Sequence, residues 1–161
     1  MTSVTDILDQ EGIEYQLFAH DHGATRPEMG LRVASSLGVE AGQLLKTLMV
    51  SSSRGPLVAL VPADRKLDFA KLANVAKTDS CKLLNREAVE SVTGYLPGGV
   101  CPFGQKTKLP TFVDQGGSAF DRVICSGGAS NSQLRLNLVD LVYLCEATVA
   151  DITQPGDHAE V

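Results

Sequence analysis

The spacing of apolar residues along this chain predicts short helices and short strands in mixed order. The segments 44–51 and 57–62 are apolar and partly β-branched, and the turn-forming sequence SSRG at 52–55 separates them, so they are predicted to form a β-hairpin. Apolar residues recur at helical spacing in 68–76, which predicts an amphipathic helix. Further helices are predicted at 5–10, from Pro27 to Gly38, at 85–92 and at 139–146, with strands at 15–19, 109–113, 122–125 and 134–138 and a short apolar run at 81–84.

This order of elements lacks a strict βαβ rhythm and predicts one α/β domain with a mixed, partly barrel-like β-sheet. The chain has 161 residues, 43% of them apolar, which is enough to bury a core without disulfides or a structural metal. The domain is predicted to cover residues 1–152, and residues 153–161 are expected to form a loose tail.

Charge and cysteine content narrow the classes of function. The formal net charge of −5 argues against strong autonomous nucleic-acid binding, because affinity for phosphates comes chiefly from lysine and arginine. The four cysteines have no close neighbour in sequence, which predicts neither a zinc site nor a redox pair and fits a reducing cytoplasm. The chain has no secretory pattern at its N-terminus and no apolar run of membrane-spanning length, so we expect a cytoplasmic protein.

The segment 93–106, reading TGYLPGGVCPFGQK, is called the glycine loop below. Glycines let a ligand approach the main chain, and prolines fix the backbone and carry no N–H group. The loop can therefore offer the N–H groups of Gly98, Gly99 and Val100 to a carbonyl or carboxylate. The alternative is an ordinary surface turn between two elements.

Lys46 stands in the middle of the apolar strand LLKTLMV. Lysine is rarely buried without a partner, so this side chain is expected to face either solvent or a cleft. In a cleft it could hold a phosphate or carboxylate as a point charge. Thr47 is expected to face the other side of the sheet.

Three segments together resemble the YbaK/prolyl-tRNA-synthetase-associated editing-domain family: LLKTLMV at 44–50, the glycine loop, and CSGG at 125–128. The resemblance runs from the N-terminal helix through HDH at 20–22 to the sequence ADI at 150–152, and it is strongest to the free-standing Cys-tRNA(Pro) deacylases. It implies a sheet surrounded by short helices and hydrolysis of the ester of a mischarged aminoacyl-tRNA. It also implies catalysis by substrate positioning, with no metal and no cofactor.

The resemblance also implies roles for individual residues. Lys46 matches the family's functional lysine and would hold the terminal nucleotide, while amides near Gly98 and Gly99 would stabilise the oxyanion. The substrate-binding positions that the resemblance implies are His20, Thr47, Val100, Cys101, Pro102, Ser126, Gly127 and Gly128. The attacking group would be the thiol of the substrate cysteine, or a water molecule as in sister subfamilies.

The sequence departs from the family pattern at three places. His20 stands where a tyrosine is usual, and Gln133 where close relatives have an acidic residue, and both bear on amino-acid selection. Cys101 introduces a thiol into the glycine loop, which we interpret as a spacer rather than a nucleophile. His20 and His22 belong either to the site or to an ordinary polar loop.

Several functions remain open at this stage. The alternatives to Cys-tRNA(Pro) are Ala-, Ser- or Thr-charged tRNA, a small aminoacyl ester, and a non-catalytic module that binds tRNA or a synthetase. Because the chain is acidic, we expect prolyl-tRNA synthetase to supply part of the tRNA recognition in a ternary complex.

Overall fold

A computed structural model describes residues 2–19, 34 and 37–155 of the chain. The strands are β1 (Tyr15–Ala19), β2 (Leu45–Ser52), β3 (Gly55–Pro62), β4 (Cys81–Leu83), β5 (Thr111–Asp114), β6 (Arg122–Ser126), β7 (Ser132–Asn137) and β8 (Thr148–Ala150). The α-helices are α1 (Val4–Gln10), α2 (Phe69–Ala76), α3 (Val89–Thr93) and α4 (Leu138–Cys145), and short 3-10 helices lie at Ala41–Gln43, Arg86–Ala88 and Gln115–Ala119.

The strands divide between two sheets. One is mixed, in the order β4-β2-β3-β5-β8, and the other is antiparallel, in the order β1-β7-β6. A parallel bridge between Leu44 and Ile124 joins the start of β2 to β6. The predicted single α/β domain is confirmed, with its strands in two sheets that do not close into a barrel within the described residues.

The sequence patterns explain where most elements begin. The predicted hairpin forms, with β2 and β3 antiparallel and Lys46 opposite Val61. Helix α1 begins after Ser3, whose side chain accepts a hydrogen bond from the Asp6 N–H, and α2 begins after Asp68, which accepts from the Lys71 N–H.

Some expectations need adjustment. The helix predicted at 85–92 is a 3-10 turn followed by α3, and strand β8 was not predicted. β8 has only three residues at the edge of a sheet, so its alternation of apolar and polar residues is too short to predict a strand. The helix predicted from Pro27 lies largely outside the described residues.

The predicted tail starts where the chain is still attached to the domain. Thr153 is buried and forms an antiparallel bridge with Leu67, and the Gln154 N–H donates to the Lys66 carbonyl. Residues 156–161 lie outside the described residues, so the domain boundary stays a prediction.

The two faces of β2 pack into different parts of the core. Leu45 and Met49 belong to the largest apolar cluster, together with Cys101 of the glycine loop. Val50 and Leu48 face a second cluster, formed with β3 and α2. No helix among the described residues is both long enough and apolar enough to span a bilayer.

Candidate active site

Lys46 is partly buried on β2, and its ammonium group is held at the end of β3. The Nζ atom donates a hydrogen bond to the Arg65 carbonyl at 2.9 Å. Burial lowers the pKa of Lys46 from its ordinary 10.5 to about 8, while the negative charge of Asp64 raises it. The group is therefore an ammonium ion at neutral pH, and it keeps donors for a ligand because an ammonium has three.

One face of the three-stranded sheet carries two polar side chains, Gln133 and Ser126, next to the ring of Phe18. Phe18 and Ser126 are both register partners of Gln133, so the three side chains lie on the same face. Leu44 and Ile124 form a parallel bridge. Lys46 lies two residues after Leu44, and Ser126 lies two residues after Ile124. Because side chains alternate along a strand, Lys46 points to the same side as Leu44, and Ser126 to the same side as Ile124. We call Lys46, Ser126 and Gln133 the polar row.

Thr47 lies on the opposite face from Lys46. Its neighbours on that side of β2, Leu45 and Met49, belong to the largest core cluster. The Thr47 hydroxyl oxygen is buried and has no hydrogen-bond partner among the described residues. The predicted orientation is confirmed, since the Thr47 side chain lies on the face away from Lys46. Contact of Thr47 with the substrate stays a prediction.

The exposed tip of the glycine loop is a tight turn. The Gly99 N–H donates to the Leu96 carbonyl at 3.0 Å, and Gly98 has φ of 87°, which favours glycine. The Gly99 amide is therefore used within the turn, and its predicted part in stabilising an oxyanion stays a prediction. In the described part of the chain, the N–H groups of Gly98 and Val100 form no hydrogen bond.

The glycine loop packs against the turn between β6 and β7. A Cβ atom on Gly99 would lie 2.8 Å from the carbonyl carbon of Ala129 and 2.9 Å from the Ser130 nitrogen. A Cβ on Gly128 would lie 3.2 Å from the ring of Tyr95. The structure therefore brings the predicted loop and the predicted SGG turn into contact, while no hydrogen bond joins Lys46 to the loop within the described residues.

The second half of the glycine loop is part of the core. Val100, Cys101 and Pro102 are buried, with Cys101 fully so. The Gln105 Nε2 donates to the Cys101 carbonyl, and the Tyr95 hydroxyl donates to the Phe103 carbonyl at 3.0 Å. The side chains of Tyr95 and Gln105 support the loop, and the buried position of Cys101 agrees with its interpretation as a spacer. Contact of Cys101 and Pro102 with the substrate stays a prediction.

The SGG turn has a structural reason for each of its residues. Ser126 is half-buried, and its Oγ accepts a hydrogen bond from the Gly128 N–H at 3.3 Å. The Gly127 N–H donates to the Ser132 carbonyl at 2.9 Å, and a Cβ there would collide with the Ser132 hydroxyl. Contact of these residues with the substrate stays a prediction, and His20 and His22 lie outside the described residues.

Comparison with known proteins places this geometry in a family. The family model for the aminoacyl-tRNA editing domain matches residues 31–144, which include Lys46, the glycine loop and the SGG turn. The chain belongs to the aminoacyl-tRNA editing domain family. The resemblance inferred from the three segments is thereby confirmed.

Relatives of this editing domain carry related names. The chain is 34% identical over 157 residues to "Putative Cys-tRNA(Pro)/Cys-tRNA(Cys) deacylase EbsC" of Enterococcus faecalis. This match covers 94% of the chain and 93% of that protein. The chain is 39% identical over 82 residues to the proline–tRNA ligase of Nitratidesulfovibrio vulgaris strain DP4, covering 51% of this chain and 14% of the ligase. The solved structure of "a putative trans-editing enzyme for prolyl tRNA synthetase" has a TM-score of 0.83, 26% identity and 94% coverage of both chains.

Two residues that support the candidate site were not identified from the sequence. Asp64 acts on the charge of Lys46 from the end of β3, and Tyr95 fixes the glycine loop through its hydroxyl group. Neither belongs to a motif, because a lone aspartate after a strand and a lone tyrosine beside glycines are common. Among the described residues, no group of three metal-ligating side chains is arranged to hold a metal ion.

Thiol accessibility provides a direct test of the buried half of the loop. Cys101, Cys125 and Cys145 are buried, and burial raises the pKa of each thiol, whereas Cys81 is partly exposed. We expect one thiol of the native editing domain to react promptly with a disulfide reagent and the other three to react only on unfolding. Prompt modification at Cys101, located by peptide mass spectrometry, would contradict this placement.

Proposed function

We propose that the protein hydrolyses the ester of mischarged aminoacyl-tRNA in trans, with Cys-tRNA(Pro) as its preferred substrate. The observation that carries the proposal is the half-buried ammonium group of Lys46 on the polar row, in a chain that belongs to the editing-domain family. The name of the Enterococcus faecalis relative, which matches almost the whole chain, supports the choice of amino acid.

The proposed chemistry needs no nucleophile from the protein. The ester joins the amino-acid carbonyl carbon to a ribose oxygen of the terminal nucleotide. Attack on that carbon forms a tetrahedral intermediate, and its collapse breaks the bond to the ribose oxygen, which takes up the proton released by the attacking thiol or water. If the thiol attacks, the product is a cyclic thioester that water then opens. The burial of Cys101, which also raises the pKa of its thiol, supports a spacer role for this residue rather than that of attacking group.

Each described residue has a separate task in this proposal. Lys46 holds the phosphate or ribose of the terminal nucleotide as a positive point charge. The N–H groups of Gly98 and Val100, which have no acceptor among the described residues, stabilise the oxyanion, and Ser126 orients the amino acid or a water molecule. The site would therefore act mainly by positioning its substrate.

The attacking group can be identified by varying the amino acid. If the substrate thiol attacks, Cys-tRNA(Pro) will lose its ester rapidly, and Ser-tRNA(Pro), Ala-tRNA(Pro) and S-methylcysteinyl-tRNA(Pro) will not. Loss of the Ala or Ser ester would instead indicate water as the attacking group and a sister specificity. Loss of no ester at all would favour a module that binds tRNA or a synthetase without turnover.

Prolyl-tRNA synthetase is the proposed partner, in the cytoplasm, where the substrate is made. The net charge of −5 leaves the protein with little means to hold a tRNA body alone. We therefore expect the immobilised protein to retain purified prolyl-tRNA synthetase when tRNA(Pro) is present. Equal retention with tRNA(Cys), or none with either, would contradict a ternary complex on tRNA(Pro).

The pKa of Lys46 sets the expected pH dependence. Because the charged form is the proposed ligand, kcat/KM should fall as pH rises above about 8, after subtraction of spontaneous ester hydrolysis. The folded-state pKa lies below the usual 10.5, so folding stability contributed by this group rises with pH between about 8 and 10.5 while activity falls. Lys46→Arg stays charged, so any activity that it retains should not show this decrease in kcat/KM. A decrease at the same pH in Lys46→Arg would assign the titration to another group.

A further inference from the structure

Residues 151–154, which we call the closing strap, are fastened to the loop between β3 and α2. The Asp68 N–H donates a hydrogen bond to the Ile152 carbonyl, and the Gln154 N–H donates to the Lys66 carbonyl, both at 2.8 Å. The proposed chemistry uses no residue of this strap. The strap holds the second half of the loop by its main chain.

The side chains of Asp114 and Lys71 anchor the strap to the rest of the domain. Ile152 is fully buried, and its N–H donates to Asp114 Oδ1 at 3.0 Å. Lys71 of α2 donates from Nζ to Asp151 Oδ2 at 2.9 Å and to the Thr153 carbonyl at 2.8 Å, an arrangement that we call the clasp. The hydrogen bond from Lys71 lowers the pKa of Asp151, so this carboxylate is ionised at neutral pH. The two charged side chains are 37% and 49% exposed, so the clasp can be opened without leaving a cavity in the core.

The loop that the strap holds carries the acceptor of the Lys46 ammonium group. The Arg65 carbonyl accepts from Lys46 Nζ at 2.9 Å, and the strap is bonded to the carbonyl of the next residue, Lys66. Because each peptide unit is planar and rigid, a shift of the Lys66 carbonyl also moves its neighbour. The bond to Arg65 is the only hydrogen bond of the Lys46 side chain among the described residues, and a lysine without a fixed acceptor extends its charge toward water. The position of the ammonium group therefore depends on the strap.

We propose that the closing strap and its clasp position the ammonium group of Lys46 for the reaction. Lys71 and Asp151 are then positioning residues, because they act on Lys46 through the main chain of the loop. The inference rests on the proposed function, in which Lys46 holds the terminal nucleotide. Since a misplacement of about 1 Å can cost about 100-fold in rate, a loosened strap should lower activity even in a folded protein.

Two variants open the clasp with opposite changes in charge, because Lys71→Met removes a cation and Asp151→Ala removes an anion. We expect each to lower kcat/KM for Cys-tRNA(Pro) about tenfold at pH 7, where Lys46 is charged. A Lys46 side chain released to water should also regain part of its ordinary pKa, so we expect its pKa to rise from about 8 by about half a unit or more in both variants. A direct effect of the lost charges would instead raise this pKa in Lys71→Met and lower it in Asp151→Ala.

The pKa of Lys46 is measured by carbon-13 NMR titration of the lysine side chains, and its signal is assigned by its absence from Lys46→Arg. Lys77→Met and Asp79→Ala are the matched controls, because they remove exposed charges just beyond the C-terminal end of α2. Both controls should keep the wild-type rate and the wild-type pKa of Lys46.

Thermal unfolding midpoints show whether each variant is folded. Gln154→Pro removes only the N–H that donates to the Lys66 carbonyl, and it replaces a clasp variant that does not fold. An unchanged rate, an unchanged pKa of Lys46, or pKa shifts of opposite sign in the two clasp variants would overturn the inference. If the wild type hydrolyses no ester but the pKa of Lys46 rises in both clasp variants, the proposed function fails and the effect of the strap on Lys46 stands.

Discussion

Lys46→Ala is expected to lower kcat/KM for Cys-tRNA(Pro) by a factor of about 100 to 1,000, the loss typical of removing one preorganised group that stabilises a transition state. The variant should still fold, because its only described hydrogen bond is to the Arg65 carbonyl, and such a bond contributes about 1 kcal/mol. Ester loss from radiolabelled Cys-tRNA(Pro) and the thermal unfolding midpoint are measured on the same preparation.

The matched control is Lys82→Ala, because Lys82 is an exposed lysine on β4 of the same sheet. It should leave both the rate and the unfolding midpoint close to wild type. If both Lys46→Ala and Lys82→Ala keep the wild-type rate of turnover, the polar row is not the site of the reaction. If Lys46→Ala loses turnover only because it unfolds, circular dichroism will reveal it.

Gly99→Ala is expected to damage both stability and activity more than the same change at Gly98. The new Cβ atom would lie 2.8–2.9 Å from backbone atoms of Ala129 and Ser130, so the glycine loop and the β6–β7 turn must separate. Overpacking of this kind costs about 1–3 kcal/mol, and a displacement of the loop by 1 Å can cost about 100-fold in rate. Chemical denaturation and single-turnover deacylation measure the two effects.

Gly98→Ala tests the effect of backbone strain in the glycine loop without a steric clash of the new Cβ atom. Its Cβ atom meets nothing within 4 Å, but φ of 87° costs about 1–2 kcal/mol for any other residue. Gly55→Ala, at φ of 104° in the hairpin turn, is the control for such strain away from the site. We expect Gly98→Ala and Gly55→Ala to lose similar stability and only Gly98→Ala to lose activity. Greater stability of Gly99→Ala than of Gly98→Ala would contradict the packing described here.

The local patterns in the sequence were sufficient to predict most of the helices and strands. Apolar runs on both sides of a turn predicted β2 and β3, and capping residues such as Asp68 marked the start of a helix correctly. The division into two sheets could not be predicted, because strand pairing depends on contacts between distant segments. The bridge between Leu44 and Ile124, which joins the start of β2 to β6, is one such contact.

Sequence motifs identified the segments that form the site, but not the hydrogen bonds and the burial within them. Lys46, the glycine loop and the SGG turn were all found from the sequence, and the loop and turn do lie in contact. The use of the Gly99 amide within its own turn and the burial of Cys101 depend on the folded shape of the loop, which composition does not specify. The effect of Asp64 on Lys46 depends on two strands coming together, so no local pattern contains it.

The most direct test of the account is deacylation of Cys-tRNA(Pro) and Pro-tRNA(Pro) by substoichiometric wild-type protein, with Lys46→Ala in parallel. We expect the Cys ester to be lost over many turnovers, the Pro ester to be spared, and Lys46→Ala to lose the activity. Persistence of the Cys ester beyond its spontaneous rate of hydrolysis, or its equal loss with Lys46→Ala, would contradict the account.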